Sequence, residues 1–131
     1  MPRIVTKPSK QRAALYNAPA HRIHKQMSAP LSTELKTSQG RRNYSMRKGD
    51  TVKIVRGDFA GIEGKITNID MKRQRLFVEG VSREKVAGTS TNVSVHSSKV
   101  MITKLNLDDK WRAESIKLVP QTKTRRTATE A

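Results

Sequence analysis

Residues 48–66 constrain the fold more than any other stretch: Lys48-Gly49-Asp50-Thr51-Val52-Lys53-Ile54-Val55-Arg56-Gly57-Asp58-Phe59-Ala60-Gly61-Ile62-Glu63-Gly64-Lys65-Ile66. Val52 and Ile54 alternate with Thr51 and Lys53, the period-two pattern of a strand with one buried face. Gly57, Gly61 and Gly64 follow, and Lys65-Ile66 opens a second apolar run. Glycine enters positive φ without penalty, so this spacing predicts strand, tight loop, strand. The missing Cβ also lets another backbone come close, and an RNA phosphate is one candidate for that approach.

The remaining chain supplies the other pieces of a small β domain. Residues 65–70 read as a second strand, Met71-Lys72-Arg73-Gln74 as a basic turn, and residues 75–79 as a third strand with Leu76 and Val78 on one face. Glu79-Gly80 is expected to turn the chain, and the polar residues 82–92 to form a long loop. Val93 and Val95 alternate with Ser94 and His96, and residues 100–104 give a last strand. Asp109 is placed to cap a short helix running through Ile116. Upstream, residues 11–17 make two helical turns before Pro19, residues 20–27 a second helix, and Ser32 caps a third that ends before Gly40. Each is shorter than the ~12 residues that are marginal alone in water, so each needs the domain or a nucleic acid to lean on. Short strands with glycine at the corners predict a mainly β chain, a small curved barrel with short helices in an N-terminal extension and one at the C-terminus. The division is a basic extension over residues 1–44, the barrel with its helix over 45–119, and a basic tail over 120–131, disordered when free. It implies that removing residues 1–42 leaves the barrel's stability nearly unchanged.

Charge separates these parts. Of a net +16, residues 1–48 carry +10, with eleven Lys and Arg against the single acid Glu34. Residues 49–116 hold twelve against nine, and residues 117–131 four against one. An arm of this kind cannot neutralise itself and wants a polyanion. Nucleic acid fits, because phosphate contacts supply affinity regardless of sequence. An anionic membrane surface is the competitor, but no stretch pairs this charge with a long apolar helical face. Cysteine is absent, which excludes disulfides, thiolate catalysis and a zinc ribbon. No apolar run approaches the roughly 18 residues of a membrane span, and the start lacks the apolar core of a secretory signal, so a cytoplasmic protein is expected.

The RNA-contact candidates follow from charge and exposure. In the arm they are Lys7, Lys10, Arg12, Tyr16, His21, Arg22, His24, Lys25, Arg41, Arg42, Arg47 and Lys48. In the glycine loop they are Arg56, Gly57, Phe59, Gly61 and Lys65; beyond it, Lys72, Arg73 and Arg112. Phe59 either stacks on an unpaired base or folds into the core. Trp111 either stacks with Arg112 on RNA or anchors the C-terminal helix by burial. His21 and His24 stand three apart, yet no third ligand has the spacing a metal needs. His96 reads as a satisfied edge histidine. Asp108, Asp109 and Glu114 read as helix-start acids, Ser97-Ser98-Lys99 lacks an oxyanion-hole context, and no Lys-Ser or Lys-Thr pair follows the glycine loop. No catalysis, metal, cofactor or small-molecule substrate is expected.

The pattern Gly-Asp-x-Val-x-Ile-x-x-Gly-x-x-x-Gly-x-x-Gly-Lys-Ile resembles the KOW motif of ribosomal and transcription-elongation proteins; its positions here are Gly49, Asp50, Val52, Ile54, Gly57, Gly61, Gly64, Lys65 and Ile66. Three further stretches resemble one family: Lys10-Gln11-Arg12-Ala13-Ala14-Leu15-Tyr16-Asn17-Ala18-Pro19, Met27-Ser28-Ala29-Pro30-Leu31-Ser32, and Val100-Met101-Ile102-Thr103-Lys104-Leu105-Asn106-Leu107-Asp108-Asp109-Lys110-Trp111-Arg112. Together they resemble the archaeal and eukaryotic form of the universal KOW-motif protein of the large ribosomal subunit, the family numbered twenty-four in bacteria. Ser45-Met46 departs from the Ser-x-Pro that relatives often carry. The resemblance implies an SH3-like barrel and an extension threaded along large-subunit rRNA near its 5′ region. It also implies an early role in assembly and a place on the cytoplasmic ribosome close to the nascent-chain exit. Neighbouring ribosomal proteins and exit-site factors are the implied partners. A transcription-elongation or RNA-chaperone module is the alternative.

Overall fold

A computed structural model describes residues 4–117. Along the chain it comprises α1 (Pro8–Tyr16), α2 (Ala20–Gln26), β1 (Ser28–Pro30), α3 (Thr33–Gln39), β2 (Asn43–Ser45), β3 (Thr51–Ile54), β4 (Glu63–Asp70), β5 (Arg75–Glu84), β6 (Ser90–His96), a 3₁₀ turn (Ser97–Lys99), β7 (Val100–Lys104) and α4 (Lys110–Lys117). The fold is mainly β. Five strands form one antiparallel sheet in the order β6-β5-β4-β3-β7, and β1 pairs with β2. β6 and β7 lie at opposite edges of that sheet, yet only Ser97–Lys99 separates them in the chain. Four steps of extended chain reach ~14 Å, less than the ~19 Å across a flat five-stranded sheet, so the sheet must curl.

Alternation fills the concave side. Val52 and Ile54 of β3, Ile66 of β4, Leu76 and Val78 of β5, Val95 of β6, and Val100 and Ile102 of β7 are all buried. Val81 also points inward, although it is three residues after Val78. Gly80 makes this possible: at φ 83° it forms a bulge, and the β5–β6 register shifts between Phe77 and Ser82. Only a residue without Cβ enters this region at low cost, so the expected turn at Glu79-Gly80 is instead a re-phasing of one continuous strand. The expected loop over 82–92 is corrected too. β5 runs to Glu84 and β6 starts at Ser90, which leaves residues 85–89 as the connection. Residues 82–84 and 90–92 pair without burying a side chain, so no hydrophobic alternation announces them.

The stretch 27–46 differs most from its expected role. Met27, Ala29, Leu31 and Met46 belong to the buried core. The Met46 N–H donates to the Met27 carbonyl at 3.1 Å, Leu31 N–H to Arg42 O at 2.9 Å, and Ser32 N–H to Ile102 O at 2.8 Å. A parallel bridge between Leu31 and Ile102 fastens the β1–β2 ribbon to β7. The third helix follows the sequence reading: Ser32 accepts from the Leu35 N–H at 3.4 Å, and Gly40 closes α3 in the left-handed region. The tail over residues 120–131 lies outside the described residues.

Candidate nucleic-acid interface

The glycine loop is built on its own backbone. Gly61 N–H donates to Ile54 O at 2.7 Å and Ile54 N–H to Ile62 O at 2.9 Å, closing the chain tightly between β3 and β4. Gly57 and Gly61 have φ of 100° and 94°, and both face solvent. Gly64 has a different reason. A Cβ there would sit 2.5 Å from the Glu79 carbonyl oxygen, so the close approach it permits is to β5 of the same chain. Phe59 is half-buried and packs against the core, which favours the packing reading over an exposed stacking ring. Arg56 and Lys65 remain exposed. The fold brings Arg83 and Lys99 to the same loop, neither of them marked by the sequence; Arg83 pairs with Asp58 at 3.3 Å.

The arm carries the other cations. Lys10 and Arg12 on α1, with Lys7 at its cap, and Arg22 and Lys25 on α2 are exposed, as is His21; neither helix buries a residue. Among the described residues none of these Lys and Arg has an acidic partner. Tyr16 is 78% exposed at the end of α1. Across from it stands the β4–β5 turn, where the Asp70 carboxylate accepts from the N–H groups of Lys72 and Arg73 at 3.1 and 3.3 Å and so presents both side chains to solvent. A separate polar cleft gathers His24, Ser28, Arg41, Asn43, Tyr44, Ser45, Arg47 and Ser115. There the Arg41 guanidinium lies 5.6 Å from the Tyr44 ring centroid. Arg42 and Lys48 are exposed, while Arg47 is turned to Asp109. That hydrogen bond holds the Asp109 carboxyl below the usual carboxylate range. Asp109 also caps α4, accepting from Trp111 N–H at 3.1 Å.

Arg112 is corrected from an RNA contact to an internal tie. It is 3% exposed, and its guanidinium grips Asp50 from both nitrogens at 2.6 and 2.7 Å. It donates further to Asn106 O at 2.9 Å and Ser45 O at 3.0 Å, and lies 5.1 Å from the centre of the Tyr44 ring. Asp50, wholly buried, also accepts from the N–H groups of Arg47 and Asn106 at 2.9 and 2.8 Å. A buried charge survives only when paired and hydrogen-bonded, and this pair joins the start of β3 to α4. Trp111 is consequently on the outside, 80% exposed, so of its two readings the one by burial is overturned.

The remaining candidates are structural. His96 Nδ1 accepts from Ser98 N–H at 3.2 Å and sits 2.8 Å from its hydroxyl; partial burial pushes the imidazole below its ordinary value, and the Arg75 and Lys99 charges add to this. Among the described residues no three His, Asp or Glu gather as a metal would require, and no helix is long and apolar enough to cross a membrane.

The family model for the ribosomal proteins called L26 in eukaryotes, with their archaeal L24 counterparts, matches residues 5–118. A large ribosomal subunit protein uL24 of Korarchaeum cryptofilum is 54% identical over 106 residues, covering 81% of each chain. Its counterpart in Sulfolobus acidocaldarius is 47% identical over 113 residues, 86% of this chain and 84% of the relative. That of Methanosphaera stadtmanae is 45% identical over 109 residues, 83% of this chain and 93% of the relative. The chain belongs to this family of eukaryotic L26 and archaeal L24 ribosomal proteins.

Proposed function

We propose that this chain, a structural protein of the large ribosomal subunit, binds large-subunit rRNA through two cationic surfaces, the arm up to residue 26 and the rim of the glycine loop. One observation carries this reading: α1 and α2 hold four Lys and Arg, no acid and no buried side chain. Nothing in the described chain neutralises them, so a polyanion must. The curled sheet, with edges joined by a three-residue turn, is read as the SH3-like barrel that presents the loop. In functional terms the chain divides into the basic extension, the barrel with α4, and the basic tail. The motif resemblance supports a site near the 5′ region of the rRNA, an early role in assembly and a place close to the nascent-chain exit. Neighbouring ribosomal proteins and exit-site factors would be its partners on the cytoplasmic ribosome. The family is one of ribosomal structural proteins, not enzymes, and its match across most of the chain favours the ribosome over an elongation or chaperone module.

The test is a titration of the full chain against a large-subunit rRNA transcript at rising salt. Several phosphate contacts give a log–log slope of several units, at about 0.7 to 0.9 per contact. Binding that ignores salt would overturn the reading.

A further inference from the structure

The arm and the β4–β5 turn enclose a groove of about 870 Å³, within the ~300–1,000 Å³ of ordinary ligand pockets. Its helical wall is apolar: Leu15, Tyr16, Ala18, Ala20 and Ile23. Its opposite wall is Met71 through Arg75, so Lys72, Arg73 and Arg75 stand over the same opening, and among the described residues no carboxylate lines it. Gln74, held at φ 55°, donates from its side-chain amide to the Gln26 side chain at 2.8 Å and so ties the end of α2 to the turn. Ile23 and Met71 rest on the core and form a fixed floor, whereas Tyr16 and Leu15 stay 78% and 41% exposed.

We infer that this groove takes one unpaired nucleotide of the RNA, its base against Tyr16 and Met71 and its flanking phosphates against Lys72 and Arg75. The inference rests on the rRNA-binding reading and goes beyond it, because it assigns a base contact where that reading needs only phosphates. Charge complementarity chooses the occupant. An apolar peptide would cover the floor but leave three cations facing an uncharged partner. A duplex would satisfy the cations but leave the floor empty, since it presents phosphates outward and keeps its bases stacked. A splayed nucleotide supplies both a flat π-face and a phosphate on each side. Arg73 contributes less, because Asp70 lies 3.9 Å from its Nε.

The experiment uses the full chain and the large-subunit rRNA transcript, with Tyr16→Ala, Tyr16→Phe and Lys72→Ala. All three variants alter exposed positions, and thermal melts confirm that each is folded. Tyr16→Ala should weaken binding by roughly 5- to 100-fold with the salt slope unchanged, the signature of lost stacking. Tyr16→Phe should bind nearly as the parent does. Lys72→Ala should lower the slope by about 0.7 to 0.9, the signature of a lost phosphate. Ultraviolet crosslinking of assembled large subunits should attach a single nucleotide to the peptide containing Tyr16. Unchanged affinity in Tyr16→Ala, with the parent's steep salt dependence intact, would sink the pocket while rRNA binding stands. A crosslink from Tyr16 to a neighbouring protein, without any nucleotide, would sink it too. Failure of the parent to bind in a salt-dependent way would instead remove the underlying reading.

Discussion

Helices α1 and α2 bury no side chain, whereas residues 27–46, which continue the same basic segment, place Met27, Ala29, Leu31 and Met46 in the core. Both regions are short of acids and poor in large apolar residues. The difference is a handful of hydrogen bonds and one contact face. The second region finds a sheet edge to join, with Ser32 N–H on Ile102 O and Leu31 wholly buried against β7, while the first joins no strand and touches the core only through the half-buried Ile23 at the groove. Composition therefore says where the unbalanced cations lie but not where the folded unit begins. One basic segment both completes the core and reaches out of it.

The largest test of that contrast is deletion. Removing residues 1–42 takes away β1 and Leu31, and the chain should lose its cooperative melting transition; removing residues 1–18 should leave the transition within a few degrees and weaken RNA binding. Leu31→Ala alone should cost about 2–5 kcal/mol, as buried leucines do. If the chain lacking residues 1–42 melts like the parent, the boundary belongs nearer residue 44 after all.

Next in size is the tie between Asp50 and Arg112. Replacing either by alanine strands a buried charge, and about 3–5 kcal/mol of stability should go with it. The double replacement should cost clearly less than the sum, since neither charge is then left alone. Measured on folded protein, RNA affinity should be unaffected. A drop in affinity for Arg112→Ala without loss of stability would return Arg112 to the RNA-facing set.

The smallest effect concerns His96. Its imidazole is held below the ordinary value of about 6.5, so the unfolded chain takes up its proton first as pH falls. The associated stability is complete above pH ~6.5 and declines below it, toward the folded value. Melting temperature should drop slightly from pH 7.5 to pH 5.5, and His96→Gln should flatten that slope. A slope of the opposite sign would mean that the ring gains an acidic partner on folding.

Much of this architecture could be read in advance. Val52, Ile54, Leu76 and Val78 announce their faces, because a strand's period is written in consecutive residues. Ser32 and Asp109 announce helix starts, because a cap is satisfied within three residues. The hairpin over 82–92 could not be read so, since neither of its faces is buried. Nor could the choice between Trp111 and Arg112: α4 is short and weakly patterned, and its phase is set by Asp50, which lies 62 residues earlier. Arg83 and Lys99 joined the glycine loop only through strand pairing.

By itself the sequence determined the phases of the strands up to Val78, the loop glycines that need positive φ, and the segregation of charge toward the ends, for these depend on neighbours within a few residues. The tertiary structure decided which arginine is internal, which part of the basic segment is core, and which cations share an opening with Tyr16. Those outcomes depend on partners far apart in the chain, and a buried charge or an added strand is stable only where its counterpart already stands.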